Sequence, residues 1–122
     1  MAPVTEFTEW VIERDNGVDL AFDGIVLAQA SSERSNAPRW TEIRIYQTAT
    51  DRFVCEVIGA TRVQGEFNRR RANVYDTAKE LRDSLKQRNS EGVVYMTYLS
   101  LDVLDEAAEK CPEIKEVMVE HV

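Results

Sequence analysis

Apolar and polar positions alternate most regularly between residues 40 and 48. Thr41, Ile43, Ile45 and Gln47 fall on one face of an extended chain. Trp40, Glu42, Arg44, Tyr46 and Thr48 fall on the other. Period-2 alternation is the mark of a strand with two different environments. Residues 7–14 are rich in β-formers and meet Asp15-Asn16-Gly17, a strong hairpin signal. A second strand is expected over 18–22. Asp23-Gly24 then reads as another turn pair, returning a third strand over 25–30. Residues 31–39 form a polar loop. After a turn at Thr50-Asp51, a strand over 52–58 follows, with Gly59 suggesting a bulge and Arg62-Val63 a continuation. Residues 69–75 close the meander.

The period then changes. Thr77 with Glu80 matches a capping box. Ala78, Leu81 and Leu85 form a narrow apolar stripe, with Lys79, Arg82, Lys86 and Arg88 on the wetter faces. Asn89 to Gly92 should stop this helix. Residues 93–96 suit a short strand. Thr97 or Ser100 caps a second helix over 100–111, with Leu101, Leu104, Ala108 and Cys111 facing the core and Pro112 ending it. Residues 117–122 carry β-branched alternation and suit a closing edge strand. The competing reading is a continuous helix with Asp102, Glu106, Glu109, Glu113, Glu116 and Glu120 in one acidic stripe. A proline inside a helix costs about 3 kcal/mol, which favours the strand.

The expected architecture is therefore α+β, one domain over residues 1–122. An antiparallel meander of five to six strands precedes two helices packed on one sheet face, with a short closing strand. At 122 residues with 43% hydrophobic content, the chain is long enough for a real core. No apolar run reaches the ~20 residues of a membrane helix, and residues 1–6 lack a secretory pattern. Cys55 and Cys111 form no Cys-x-x-Cys pair and are expected as reduced structural thiols in a cytoplasmic protein.

The formal net charge is −7, which disfavours non-specific contact with nucleic acid or anionic lipid. Its distribution is uneven: −4 over residues 1–40, +3 over 41–90 and −6 over 91–122. The positive centre gathers Arg62, Arg69, Arg70, Arg71, Arg82 and Lys86 into a candidate interaction patch. Three roles compete for it: internal pairing with Glu66, Asp76 and the acidic tail or plain solvation, contact with an acidic protein, or contact with a phosphate backbone. Trp40, Tyr46, Phe53 and Phe67 are available as stacking platforms for the last, though aromatics in a meander more often form core.

Catalytic and cofactor motifs are absent. His121 is the only histidine and is next to last, a poor place for a general base or a metal ligand. Asp15, Asp19 and Asp23 lack the order of a calcium loop. Gly59 to Gly65 is not followed by the Gly-Lys-Ser/Thr of a phosphate loop. No cofactor, metal or catalytic residue is expected. The chain reads as a small non-enzymatic interaction or regulatory protein, whose partner is another protein or a second copy in a homodimer. The alternatives are a nucleic-acid-binding module built on Arg69–Arg71 and an acidic inhibitor that mimics nucleic acid.

Overall fold

Alternation along residues 40–48 does divide two environments, and the fold is built around that division. A computed structural model describes residues 7–119 of the chain. Five strands, β1 (Thr8–Ile12), β2 (Leu20–Ser31), β3 (Arg39–Thr48), β4 (Phe53–Thr61) and β5 (Arg69–Tyr75), form one antiparallel sheet in sequence order. Helix α1 (Ala78–Ser84), a small hairpin of β6 (Gln87–Arg88) and β7 (Val94–Tyr95), and helices α2 (Tyr98–Lys110) and α3 (Pro112–Val117) follow. The α+β architecture expected from the sequence is the one observed.

Ile43 and Ile45 face the helices. They pack with Phe53 and Cys55 against Leu81, Val103, Leu104, Ala107 and Ile114. Tyr46 faces the other way, into a second cluster with Ile12, Val54 and Ala72, flanked by Trp10 and Phe22. Trp10 and Phe22 meet the Tyr46 ring edge-on, at centroid distances of 5.1 and 5.3 Å. The Tyr46 hydroxyl donates to the buried Glu56 carboxylate at 3.1 Å and accepts from Arg44 at 3.1 Å. A buried carboxylate needs such donors, because desolvation without them is costly.

The two edges of the sheet meet at one end. Asp15 bonds the backbone of Arg70 through both its own N–H and its carboxylate, at 2.8 and 2.7 Å. The Asn16 amide both accepts from the Ala72 N–H and donates to its carbonyl, at 3.1 and 3.2 Å. The sheet is thus rolled, with the second apolar cluster on its inner side. Asp15-Asn16-Gly17 does lie in the reversal between β1 and β2, and it serves this closure as well.

Several expectations are corrected. Asp23-Gly24 is not a turn, and β2 runs straight through it. Gly24 pairs with Thr8 on one side and Thr48 on the other. An added Cβ there would sit 2.8 Å from the Gln47 carbonyl oxygen and 2.9 Å from the Phe22 ring. The glycine permits close approach inside a sheet rather than positive φ in a turn. The bulge lies in β2 instead, where the register shifts between Val26 and Ala28. Gly59 keeps its register with Thr41 and Arg69.

The first helix is shorter than its stripe suggests. Thr77 caps it by accepting from the Glu80 N–H at 3.1 Å, but the helix ends at Ser84. Asn89 explains why residues 86–92 leave the helix. Its side chain accepts from the N–H groups of Glu91 and Val93, and Gly92 takes φ 82°, making the tip of the β6–β7 hairpin. In α2 the buried positions are Ser100, Val103, Leu104 and Ala107, while Leu101 is 37% exposed and Ala108 half-buried. The tail forms no closing strand over the residues described. Pro112 starts α3, where a missing N–H costs nothing, and Ile114 is fully buried. The acidic stripe is accordingly split over two helices; Glu120, His121 and Val122 lie outside the described residues.

Candidate binding surface

Helix α2 lies over β2 and β3, and α1 reaches β4 and β5 beyond Tyr75. Near the start of β3, the end of β4 and the start of β5, Gly59, Arg69 and Arg71 are exposed and Thr41 and Val57 half-buried. Pairing of Thr41 with Gly59, Val57 with Arg71 and Gly59 with Arg69 lays these side chains on one strip. Strand alternation puts Arg69 and Arg71 on the strip and turns Arg70 to the opposite face.

The six candidate residues divide into two sets. Arg62 lies 4.6 Å over the Trp40 ring, pairs with Glu33 at 3.4 Å and donates to the Arg34 carbonyl at 3.1 Å. Arg82 donates to the Val117 carbonyl at 2.7 Å and pairs with Asp83. Lys86 pairs with Asp83 at 2.9 Å. These three are held within the fold. The side chains of Arg69, Arg70 and Arg71 make no hydrogen bond or ion pair with any described residue.

Direct pairing of the three arginines with Glu66 or Asp76 is not seen among the described residues. Glu66 is engaged by Arg39 and Thr61, and Asp76 by Arg52 at 2.7 Å. On the helices, Asp102, Asp105, Glu109 and Glu113 are exposed and likewise unpaired among the described residues.

Glu66 carries the largest carboxylate shift. Its hydrogen bonds from Arg39 and then Thr61 bring its pKa down to about 2. A depressed folded-state pKa stabilises fully above the ordinary carboxylate range and is lost as pH falls from about 4.3 towards 2. Carboxyl NMR should show Glu66 titrating near 2 and returning to the ordinary range in Arg39→Ala. Titration of the parent near 4 would refute the pairing.

A cleft of about 690 Å³ opens at one end of the strip, where β3–β5, the end of α1 and the start of α2 converge. Arg71, Asn73, Lys86 and Gln87 line it above an apolar floor that includes Ile43 and Val57. None of its described lining residues is acidic. Cys55 lies beneath, and burial pushes its thiol up to about 12 against the opposing pull of Arg71. Cys55 and Cys111 are both buried and free. A protonated, buried thiol reacts poorly. Ellman's reagent at about pH 8 should leave Cys55 untouched in the native protein and label both thiols once it unfolds. Rapid native labelling of Cys55 would contradict its burial.

The cleft was not legible in the sequence. Its walls come from segments between Ser32 and Ser100, and no local motif joins them. Thr97 and Ser100 were visible only as a helix cap. Among the described residues no group of three or more His, Cys, Asp or Glu side chains could hold a metal ion. No helix among the described residues is long and apolar enough to cross a membrane.

No known family, curated protein or solved structure matches this chain.

Proposed function

We propose that the protein is a non-enzymatic binding module that holds an acidic segment of another protein on the Arg69–Arg71 strip. One observation carries this reading. Arg69 and Arg71 stand side by side on one exposed strip with no ion pair or side-chain hydrogen bond to a described residue, whereas Arg39, Arg44, Arg52, Arg62 and Arg82 are each ion-paired with a carboxylate. Two guanidinium groups on one face repel each other, and a carboxylate partner relieves that repulsion by charge-assisted, bidentate bonds.

The surroundings favour a protein over a nucleic acid. Asp15 and Glu66 border the strip beside Arg69, and the chain as a whole is at −7. A phosphate backbone needs many cations in a row and is repelled by such neighbours. The hydroxyls at the adjoining cleft have no lining carboxylate beside them to serve as a base, which supports binding rather than turnover.

The test compares a labelled oligoglutamate peptide with an oligothymidylate of equal charge, at about 0.15 M salt. The parent should bind the peptide, and Arg69→Ala/Arg71→Ala should abolish binding. Neither arginine pairs internally, so each replacement should change stability by no more than about 0.5 kcal/mol. Equal or tighter oligothymidylate binding, lost in the same variant, would install the nucleic-acid reading instead. Binding of neither probe would overturn the proposal.

A further inference from the structure

The cleft beside α2 differs in chemistry from the strip that leads to it. In a chain with 22 acidic residues, none of the described residues lining it is acidic. Lys86 is already held by Asp83 at 2.9 Å, so its charge is largely answered. Arg71 has no such partner. Asn73 stands next to it along the same face of β5. Its carbonyl oxygen is occupied by the Asn16 amide at 3.0 Å, which leaves its two N–H bonds without an acceptor among the described residues. The cleft therefore offers a cation and free donors, with no anion to meet them.

Beneath these polar groups lie Ile43, Val57, Leu85 and Leu99. Apolar surface with a few convergent polar groups is the ordinary make-up of a small-molecule site. Its volume of about 690 Å³ falls within the roughly 300–1,000 Å³ of such sites.

We propose that this cleft binds an amphipathic organic anion, its single carboxylate or phosphate head on Arg71 and Asn73, its apolar body on Ile43, Val57, Leu85 and Leu99. The head meets the planar guanidinium in the bidentate geometry that suits either group. The body covers the half-buried Val57 and Leu99, with the buried Ile43 and Leu85 behind them. The two readings share Arg71, which lies on both the strip and the cleft, whereas Arg69 belongs to the strip alone.

The experiment titrates the full chain with decanoate, decyl phosphate and uncharged decan-1-ol, each below its aggregation threshold. Binding is followed by calorimetry and backbone amide NMR. Saturable binding of decanoate or decyl phosphate is expected, and the tighter of the two identifies the head group. Shifts should centre on Asn73, Gln87 and Leu99. Decan-1-ol should bind at least about tenfold more weakly, since it leaves Arg71 unanswered. Arg71→Gln should weaken the anion about tenfold or more, while Arg69→Gln should change it by less than about threefold. Both replaced residues are exposed, and thermal melts check that each variant folds. Failure of both anions to saturate overturns the proposal, as does equal binding of decan-1-ol. Shifts confined to the exposed residues Val94, Tyr95 and Tyr98 also overturn it. Oligoglutamate binding that survives such a failure leaves the strip intact, so the two readings fail separately.

Discussion

Tyr46→Ala should cost about 3–5 kcal/mol in denaturant unfolding, the loss typical of a buried aromatic ring. Tyr46 is 1% exposed, and Trp10 and Phe22 both stand edge-on to it. Its removal opens a cavity at the centre of the rolled sheet. It also takes the hydroxyl donor from Glu56, which is only 5% exposed. Tyr46→Phe separates the two effects. It keeps the ring and leaves Glu56 with Arg44 alone, whose nearest nitrogen is 3.8 Å away. That variant should cost about 1–3 kcal/mol, the range for an unsatisfied buried group. A typical domain has only about 5–15 kcal/mol in hand, so the alanine variant should be partly unfolded near physiological temperature. A loss below about 1 kcal/mol for Tyr46→Ala would show that the inner cluster is not a packed core.

The second large effect lies on the helix side. Leu104→Ala should cost about 2–5 kcal/mol, because the side chain is fully buried against the sheet. Leu101→Ala, one turn earlier in α2, should cost less than about 1 kcal/mol, since Leu101 is 37% exposed. Both are leucines at helical spacing, so only their placement separates them. Equal losses would mean that α2 is rotated about its axis relative to the structure described.

That pair shows how far the sequence could be read. Residues 100–111 have apolar side chains at Leu101, Val103, Leu104, Ala107, Ala108 and Cys111, enough for two overlapping stripes. Periodicity identifies a helix there but does not choose between the stripes; packing on β2 chooses Val103, Leu104 and Ala107. In the sheet the opposite holds. Period 2 has only two registers, so the split of Ile43 and Ile45 from Tyr46 was readable from residues 40–48 alone.

Short dipeptides misled where tertiary contact decides. Asp23-Gly24 has turn chemistry, but the Phe22 ring and the Gln47 carbonyl oxygen explain its glycine. Pro112 does end α2, and it also begins α3, which its sequence did not announce, because a proline suits the first position of a helix as well as the residue after one. The arginine patch was visible as Arg69-Arg70-Arg71. Which members stay unpaired was not, since that depends on Arg39 and Arg52 having taken Glu66 and Asp76.

The closure between the β1–β2 reversal and β5 bears on the order in which the molecule assembles. Every strand of the meander pairs with its neighbour in sequence, so those ladders close short loops. The bonds from Arg14, Asp15 and Asn16 to Arg70 and Ala72 span 55 to 58 residues. Loop-closure entropy rises with length, so these contacts should form after the rate-limiting barrier. Asn16→Ala should then have a φ-value near zero: its destabilisation should appear as faster unfolding, with the refolding rate nearly unchanged in stopped-flow chevrons. A refolding limb that slows in step with the lost stability would place this clasp in the nucleus instead. If it forms late, the rolled sheet opens from this seam first, and the lifetime of the native state is set by a few side chains at a loop rather than by either apolar cluster.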